Sequence, residues 1–303
     1  MKSMRSKALL ACVLAVSALR GGSAFAAPPD VVLHDDRGRP IAMAHPPQRI
    51  VSLLPSLTEM VCALGGCDRL VGVDRYSNWP QATLSKLPVV GGGLDPNVEA
   101  IVALQPDVVL LSNSARVVER LEALGLKTIT LEPRTLADVH RVLQGVGAVL
   151  GVSPEQGAER EWRRLQAGVD AAAQSLPAAT QGARVYFEVS RGPYLAGPSS
   201  FIGELLTRMR VANVVPPEMG PFPRVSPEFI VRARPDVILM GNHSMQVAHS
   251  YPGWSTLDAV KRQRVCAFTA EQSNIIVRPG PRMDEAARII AQCLREKVPH
   301  HVH

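Results

Sequence analysis

Glu99-Ala-Ile-Val-Ala-Leu-Gln-Pro-Asp-Val-Val-Leu110 returns 129 residues later as Glu228-Phe-Ile-Val-Arg-Ala-Arg-Pro-Asp-Val-Ile-Leu239, with Glu, Ile, Val, Pro, Asp, Val and Leu matched position for position. Both copies read the same way. Apolar residues at helical spacing lead to a Pro-Asp turn, and an unbroken apolar run follows, the pattern of a strand buried on both faces. A generic helix–turn–strand unit accounts for the spacing and the turn. It does not require a glutamate at the head of both helices, although the helix dipole favours one there. The repeat implies two similar α/β lobes.

Working outward, each copy sits in a run of alternating elements. Before and after the first lie strands at Arg49–Leu54, Leu70–Val73, Val108–Leu111 and Thr128–Leu131. Helices over Pro55–Ala63, Val98–Gln105 and Arg116–Leu124 separate them, with Gly65-Gly66 and Gly125 as stops. Around the second copy, strands are expected at Arg184–Val189, Val237–Met240 and Val265–Phe268, with helices at Phe201–Met209, Glu228–Ala233 and Pro281–Lys297. Alternation with short connections predicts parallel sheets covered on both sides. Between the lobes strand signals vanish. Ser153-Pro154-Glu155-Gln156 has the form of a capping box with proline at the first helical position, opening a helix to Ser175 of about 22 residues and ~33 Å. Upstream, Val31–His34, Asp35-Asp36-Arg37-Gly38 and Pro40–Met43 read as a small hairpin.

The expected organisation is a leader over 1–26, a hairpin over 27–48, a first α/β lobe over 49–134, a linker with one long bridging helix over 135–180 and a second α/β lobe over 181–303. A ligand then belongs in the cleft between lobes, at the carboxyl ends of the strands.

The leader is read from charge and hydropathy. Met1–Lys7 carries three positive charges, Ala8–Leu19 is apolar, and Ala24-Phe25-Ala26 fits cleavage before Ala27. The apolar run is too short to span ~30 Å of hydrocarbon. An amphipathic anchor and a lipoprotein form using Cys12 are the alternatives; Leu10 fits the latter poorly. With Lys2, Arg5, Lys7 and Arg20 removed, a formal charge of +6 falls to 29 basic against 27 acidic residues. That balance gives no electrostatic case for nucleic acid. The 46% hydrophobic content and mean hydropathy of +0.07 exclude a disordered chain. Export permits disulfides. Cys62, Cys67, Cys266 and Cys293 allow three full pairings; a local Cys62–Cys67 bridge and buried free thiols both stay open.

Catalytic constellations are absent from the sequence. Ser190 and Ser199-Ser200 lie in loops without a Gly-x-Ser-x-Gly elbow, and Gly91-Gly92-Gly93 lacks the Lys-Ser/Thr of a phosphate cradle. No Cys/His spacing suggests zinc; His243 and His249 share a loop, and His300, His301 and His303 form a tail.

At this point the residues resemble a known family. Asp35-Asp36-Arg37-Gly38-Arg39-Pro40, Pro47–Leu53, Pro55-Ser56-Leu57-Thr58-Glu59, Tyr76-Ser77-Asn78-Trp79-Pro80, Pro96-Asn97-Val98-Glu99, Pro198–Leu206, Pro252-Gly-Trp-Ser255 and Arg278-Pro-Gly-Pro-Arg282 stand in the order found in periplasmic substrate-binding proteins of ABC importers. The subgroup is the one whose lobes are bridged by a single helix, taking up cobalamin, haem and iron–siderophores, and the likeness is greatest to its cobalamin-binding branch. The resemblance implies a non-enzymatic, monomeric periplasmic receptor that hands a metal-complex ligand, cobalamin or else haem or a ferric siderophore, to an inner-membrane permease. It implies that Glu99 and Glu228 pair with permease arginines. It also implies that Ser56, Tyr76, Phe222, Asn274 and Arg278 face ligand, rings lying flat on a planar guest and Arg278 meeting its polar periphery. Gly93 stands where cobalamin binders commonly carry an aromatic, so one stacking wall is missing. A continuous bridging helix predicts limited lobe closure. An exported hydrolase or a sensor on the same scaffold is the alternative from another class.

Overall fold

The computed structural model describes residues 33–298; the leader at 1–26, the start of the hairpin and the histidines at 300, 301 and 303 lie outside them. The first lobe is built on β1 (Ile50–Ser52), β2 (Leu70–Val73), β3 (Val108–Leu111) and β4 (Thr128–Thr130), all parallel in the order β2-β1-β3-β4. Helices α1 (Pro55–Ala63), α2 (Gln81–Leu84), α3 (Val98–Ala103) and α4 (Val118–Ala123) connect them. Then come α5 (Leu136–Leu150) and α6 (Ala158–Gln174). The second lobe holds β5 (Arg184–Ser190), β6 (Tyr194–Leu195), β7 (Ala212–Asn213), β8 (Val237–Gly241) and β9 (Val265–Phe268). Its helices are α7 (Phe201–Arg208), α8 (Pro227–Ala233), α9 (Asn242–Ala248), α10 (Asp258–Lys261), α11 (Ala270–Ile276) and α12 (Met283–Lys297). Here β7, β5, β8 and β9 are parallel and wound as in the first lobe, while β6 adds an antiparallel pairing to β5.

The sequence repeat has a backbone cause. Asp107 donates its N–H to the Arg49 carbonyl (2.8 Å), and its carboxylate accepts the Arg49 N–H (2.9 Å). Asp236 repeats both bonds with Arg184, each at 2.8 Å. The aspartate thus ties the strand it opens to the central strand beside it. Two residues earlier, Gln105 (φ 45°) and Arg234 (φ 44°) both take the left-handed turn that ends the helix. Asn97 and Ser226, also 129 apart, cap α3 and α8 with their side chains. β3 and residues 237–240 of β8 are buried throughout, as their unbroken apolar runs require.

α6 joins the two cores. Its Ala158 and Leu165 pack with the first lobe, its Val169 and Ala172 with the second. α12 runs against it, and Gly168 permits the approach: a Cβ there would lie 2.5 Å from the Asp284 Cβ. The bridging helix starts later than its capping signal. Ser153–Gly157 closes one turn, with the Gly157 N–H on the Ser153 carbonyl (2.9 Å), and the chain then bends at Gly157 (ψ −102°). The helix proper has 17 residues, about 26 Å. Contacts to α5 decide the start. Glu159 lies 2.7 Å from His140 Nε2, accepts Gln144 Nε2 at 2.9 Å, and His140 stacks on Trp162 at 5.0 Å.

Among the described residues the hairpin holds one bridge, His34 with Pro40, closed at Gly38 (φ 73°). It docks on β4 through the Asp36 N–H and the Thr130 carbonyl (2.8 Å). Both cysteine pairs are bridged, Cys62–Cys67 within the first lobe and Cys266–Cys293 from β9 to α12. Among the described residues no helix is long and apolar enough to cross a membrane.

Candidate functional site

Parallel strands place their carboxyl ends on one side of a sheet, where loops leave the backbone free to meet a ligand. A pocket of about 270 Å³ lies there in the first lobe, at the ends of β1, β2 and β3, lined by Leu53, Pro55, Asp74, Tyr76, Gly93, Leu94, Asp95, Ser112, Ser114 and Glu132 among others. Its counterpart of about 330 Å³ lies at the ends of β5, β8 and β9, lined by Phe187, Glu188, Ser190, Arg191, His243, Phe268, Ile276 and Val277 among others. One lobe–lobe contact separates them. Ser56, next to Pro55 of the first pocket, packs against Gly280, and Arg278, next to Val277 of the second, reaches Glu59 on α1.

That contact is ionic and buried. Glu59 is 1% exposed. It accepts Arg278 Nη1 (2.9 Å), Arg282 Nη2 (2.6 Å) and Arg282 Nε (2.9 Å). Arg278 also donates to the Asn78 side-chain oxygen (2.8 Å) and the Tyr76 carbonyl (2.7 Å). Arg282 sits 4.9 Å over the Trp79 ring. From the first lobe's own side, buried Asp74 accepts the Tyr76 N–H (2.8 Å) and the Ser77 hydroxyl. Burial pushes the Asp74 carboxyl above the ordinary carboxylate value, partly opposed by the Ser77 hydroxyl.

The walls differ in chemistry. In the first pocket Ser114 lies 2.6 Å from Ser112, and Ser112 donates to Glu132 at 2.6 Å. Tyr76 and Leu94 stand above them, 60% and 74% exposed. The second pocket is more apolar, with Glu188 at its base accepting the hydroxyls of Tyr186 (2.6 Å) and Tyr251 (3.3 Å). Burial raises the Glu188 carboxyl. Burial first, and the neighbouring Glu188 second, push the Tyr251 phenol up to about 12.

Of the residues expected to face ligand, Tyr76 and Gly93 line a pocket. Ser56 is buried in the lobe contact, and Arg278, 7% exposed, is committed to Glu59, Asn78 and Tyr76. Asn274 is half-buried on α11, and Phe222 is exposed on the loop that pairs outside β6. At Gly93 a Cβ would lie 2.7 Å from the Leu53 carbonyl, so the chain passes too close to β1 for a side chain; the next residue, Leu94, is exposed and lines the pocket. Glu99 and Glu228 are exposed in the first turns of α3 and α8. Each helix runs antiparallel to the strand that follows it, so both carboxylates stand at the ends of the lobes that carry the pockets. Glu99 pairs with exposed Arg120 at 2.9 Å. The Ser226 hydroxyl holds the Glu228 carboxyl below its usual value. His243 lines the second pocket, and no cluster of three or more metal-ligating side chains occurs among the described residues. Sequence reasoning passed over Glu59, Ser112, Glu132 and Glu188. An acid that breaks an otherwise buried stretch, as Glu59 does in α1 and Glu188 in β5, was the signal available.

Comparison with known proteins gives the family and the fold. Residues 50–271 match the Periplasmic binding protein family. A cobalamin-binding protein of Halobacterium salinarum is 30% identical over 257 residues, 81% of this chain and 69% of that protein. The crystal structure of the periplasmic vitamin B12 binding protein of Vibrio cholerae superposes with a TM-score of 0.66 at 26% identity, covering 83% of this chain and 98% of that one. A periplasmic haem-binding protein from Pseudomonas aeruginosa gives 0.68 at 26% identity, covering 84% and 94%.

Proposed function

Because this chain belongs to the periplasmic binding protein family of ABC importers, we propose that it is a periplasmic receptor that captures a corrinoid of the cobalamin type between its lobes and delivers it to an inner-membrane permease. The observation that carries the ligand choice is the charge of the two pockets. The first-lobe wall offers Ser112, Ser114, Asp95 and Glu132, the two carboxylates paired with Arg75 (2.7 Å) and Arg134 (3.3 Å) outside the lining, and among the described residues the second wall offers Arg191 and His243 beside the carboxylate of Glu188. Arg278, the cation the family pattern aims at ligand, is turned into the lobe contact. An acceptor-rich wall suits the amide N–H groups around a corrin ring, and neither wall presents the cluster of unpaired cations that the carboxylates of haem or an anionic siderophore call for. Tyr76 gives the planar face a ring to lie on.

Haem is the alternative, favoured by one feature: a tyrosine oxygen ligates haem iron, and the Tyr76 side chain is free at the pocket mouth. Titration with cyanocobalamin, haemin and a ferric siderophore, followed by absorbance and calorimetry, separates the readings. Stoichiometric cyanocobalamin binding without turnover is expected. Binding of haemin alone would keep the receptor and discard the corrinoid.

A further inference from the structure

We propose that Arg278 is a positioning residue: it reaches across the lobe junction to fix the backbone that presents Tyr76 to ligand, and does not itself touch ligand. The inference rests on the cleft reading above. Tyr76 is held at both of its peptide groups from opposite lobes. Its N–H is taken by Asp74 of the first lobe (2.8 Å), and its carbonyl by Arg278 of the second (2.7 Å). The residue is 60% exposed, and its ring makes no comparable commitment. Backbone fixed on both sides with a free side chain is a preorganised contact, whose ordering cost is met in folding rather than in binding.

The junction's charge explains why the loop stays in place. Two arginines share the single carboxylate of Glu59, with side-chain exposures of 8% and 10% against 2%. Glu59 cannot satisfy both. The remaining N–H groups of Arg278 turn to the Tyr76 carbonyl and the Asn78 side chain, while Arg282 rests on the Trp79 face. Lifting residues 76–79 would strip partners from a buried guanidinium, which is costly. The ion pair therefore draws the binding loop down without occupying the pocket, and Arg278 lines neither pocket.

The test compares Arg278→Lys, Asn78→Ala, Tyr76→Ala and the Arg278→Lys/Tyr76→Ala double variant in the mature chain. Lysine keeps the charge for Glu59 but cannot make the three bonds in one plane. Asn78→Ala removes one bond and leaves the ion pair intact. Hydrogen exchange without ligand should show faster exchange of the amides of residues 76–79 in both Arg278→Lys and Asn78→Ala. Cyanocobalamin affinity should fall about tenfold in Arg278→Lys and less in Asn78→Ala, about 1.4 kcal/mol for the former. In the Tyr76→Ala background the Arg278→Lys effect should disappear. An equal loss in both backgrounds would overturn the proposal, because Arg278 would then contact ligand or act only on stability. Unchanged exchange in Arg278→Lys and Asn78→Ala would overturn it as well. If the wild-type chain takes up no cyanocobalamin, the corrinoid reading fails by itself, while the ligand-free exchange still decides the role of Arg278.

Discussion

Gly93→Trp would add the ring that cobalamin binders commonly carry at this position, yet it should weaken this protein. The obstacle is the Leu53 carbonyl, 2.7 Å from where any Cβ must go. Backbone atoms do not rotate away as a side-chain tip does, so the loop or the end of β1 has to shift, at about 1–3 kcal/mol. The expected result is a Tm lower by roughly 2–8 °C, measured by calorimetry, with cyanocobalamin binding no tighter than wild type. An unchanged Tm with tighter binding would mean that the loop accommodates a side chain and that the glycine is incidental. This scale also shows where sequence stops being legible. Tyr76 was reached through the family resemblance alone, and it lines the first pocket. The place of Arg278 was not legible: its side chain faces the junction because Glu59 waits 219 residues away, and no local pattern encodes that meeting.

Elements were legible where their cause is local. The helix–turn–strand repeat follows from caps, a left-handed residue and an aspartate bonding its neighbouring strand, all within a dozen residues of each other or on a fixed strand start. The start of α6 was misplaced because contacts between His140, Gln144, Glu159 and Trp162 outweigh the capping signal at Ser153. The hairpin teaches the same lesson with a testable consequence. Buried Asp35 accepts Arg39 Nε and Nη2, the Arg37 and Arg39 backbone N–H groups and the Thr130 hydroxyl, fastening the hairpin to β4. Burial raises its carboxyl, but the Arg39 guanidinium and the backbone donors outweigh burial and hold it below the ordinary value. A depressed carboxyl contributes stability that is complete above its unfolded value and is lost as pH falls through the folded one. Asp35→Asn should therefore cost about 2 kcal/mol at pH 7. It should also flatten the acid limb of stability below pH ~4, only in part, because the carboxyls of Glu122 and Asp138 are also depressed. Urea denaturation at pH 7 and at pH 3 measures both; an equal deficit at the two pH values would remove Asp35 from the acid response.

At the scale of the molecule, the repeat makes two surfaces equivalent, and the proposed delivery to a permease gives that equivalence a use. Glu99 and Glu228 occupy the same place in the first turn after matched caps, on helices that start at the ends of the lobes that carry the pockets and run away from them. A two-fold permease with arginines at its docking face, as the resemblance implies, would offer the same surface twice, so a receptor with one carboxylate on each lobe could engage both halves together. Exposed ion pairs contribute little singly, and Glu99 must also leave Arg120. Each single variant, Glu99→Ala or Glu228→Ala, should therefore reduce stimulation of importer ATPase only severalfold. The pair should lose it nearly completely, because one-sided docking no longer aligns the cleft with the translocation path. Cyanocobalamin affinity should stay within about twofold of wild type in all three variants, since neither carboxylate lines a pocket. ATPase assays in proteoliposomes, with calorimetry on the same preparations, separate the two effects. Full stimulation by the double variant would mean that the symmetry of the lobes serves folding alone, and that docking rests on surfaces the repeat does not mark.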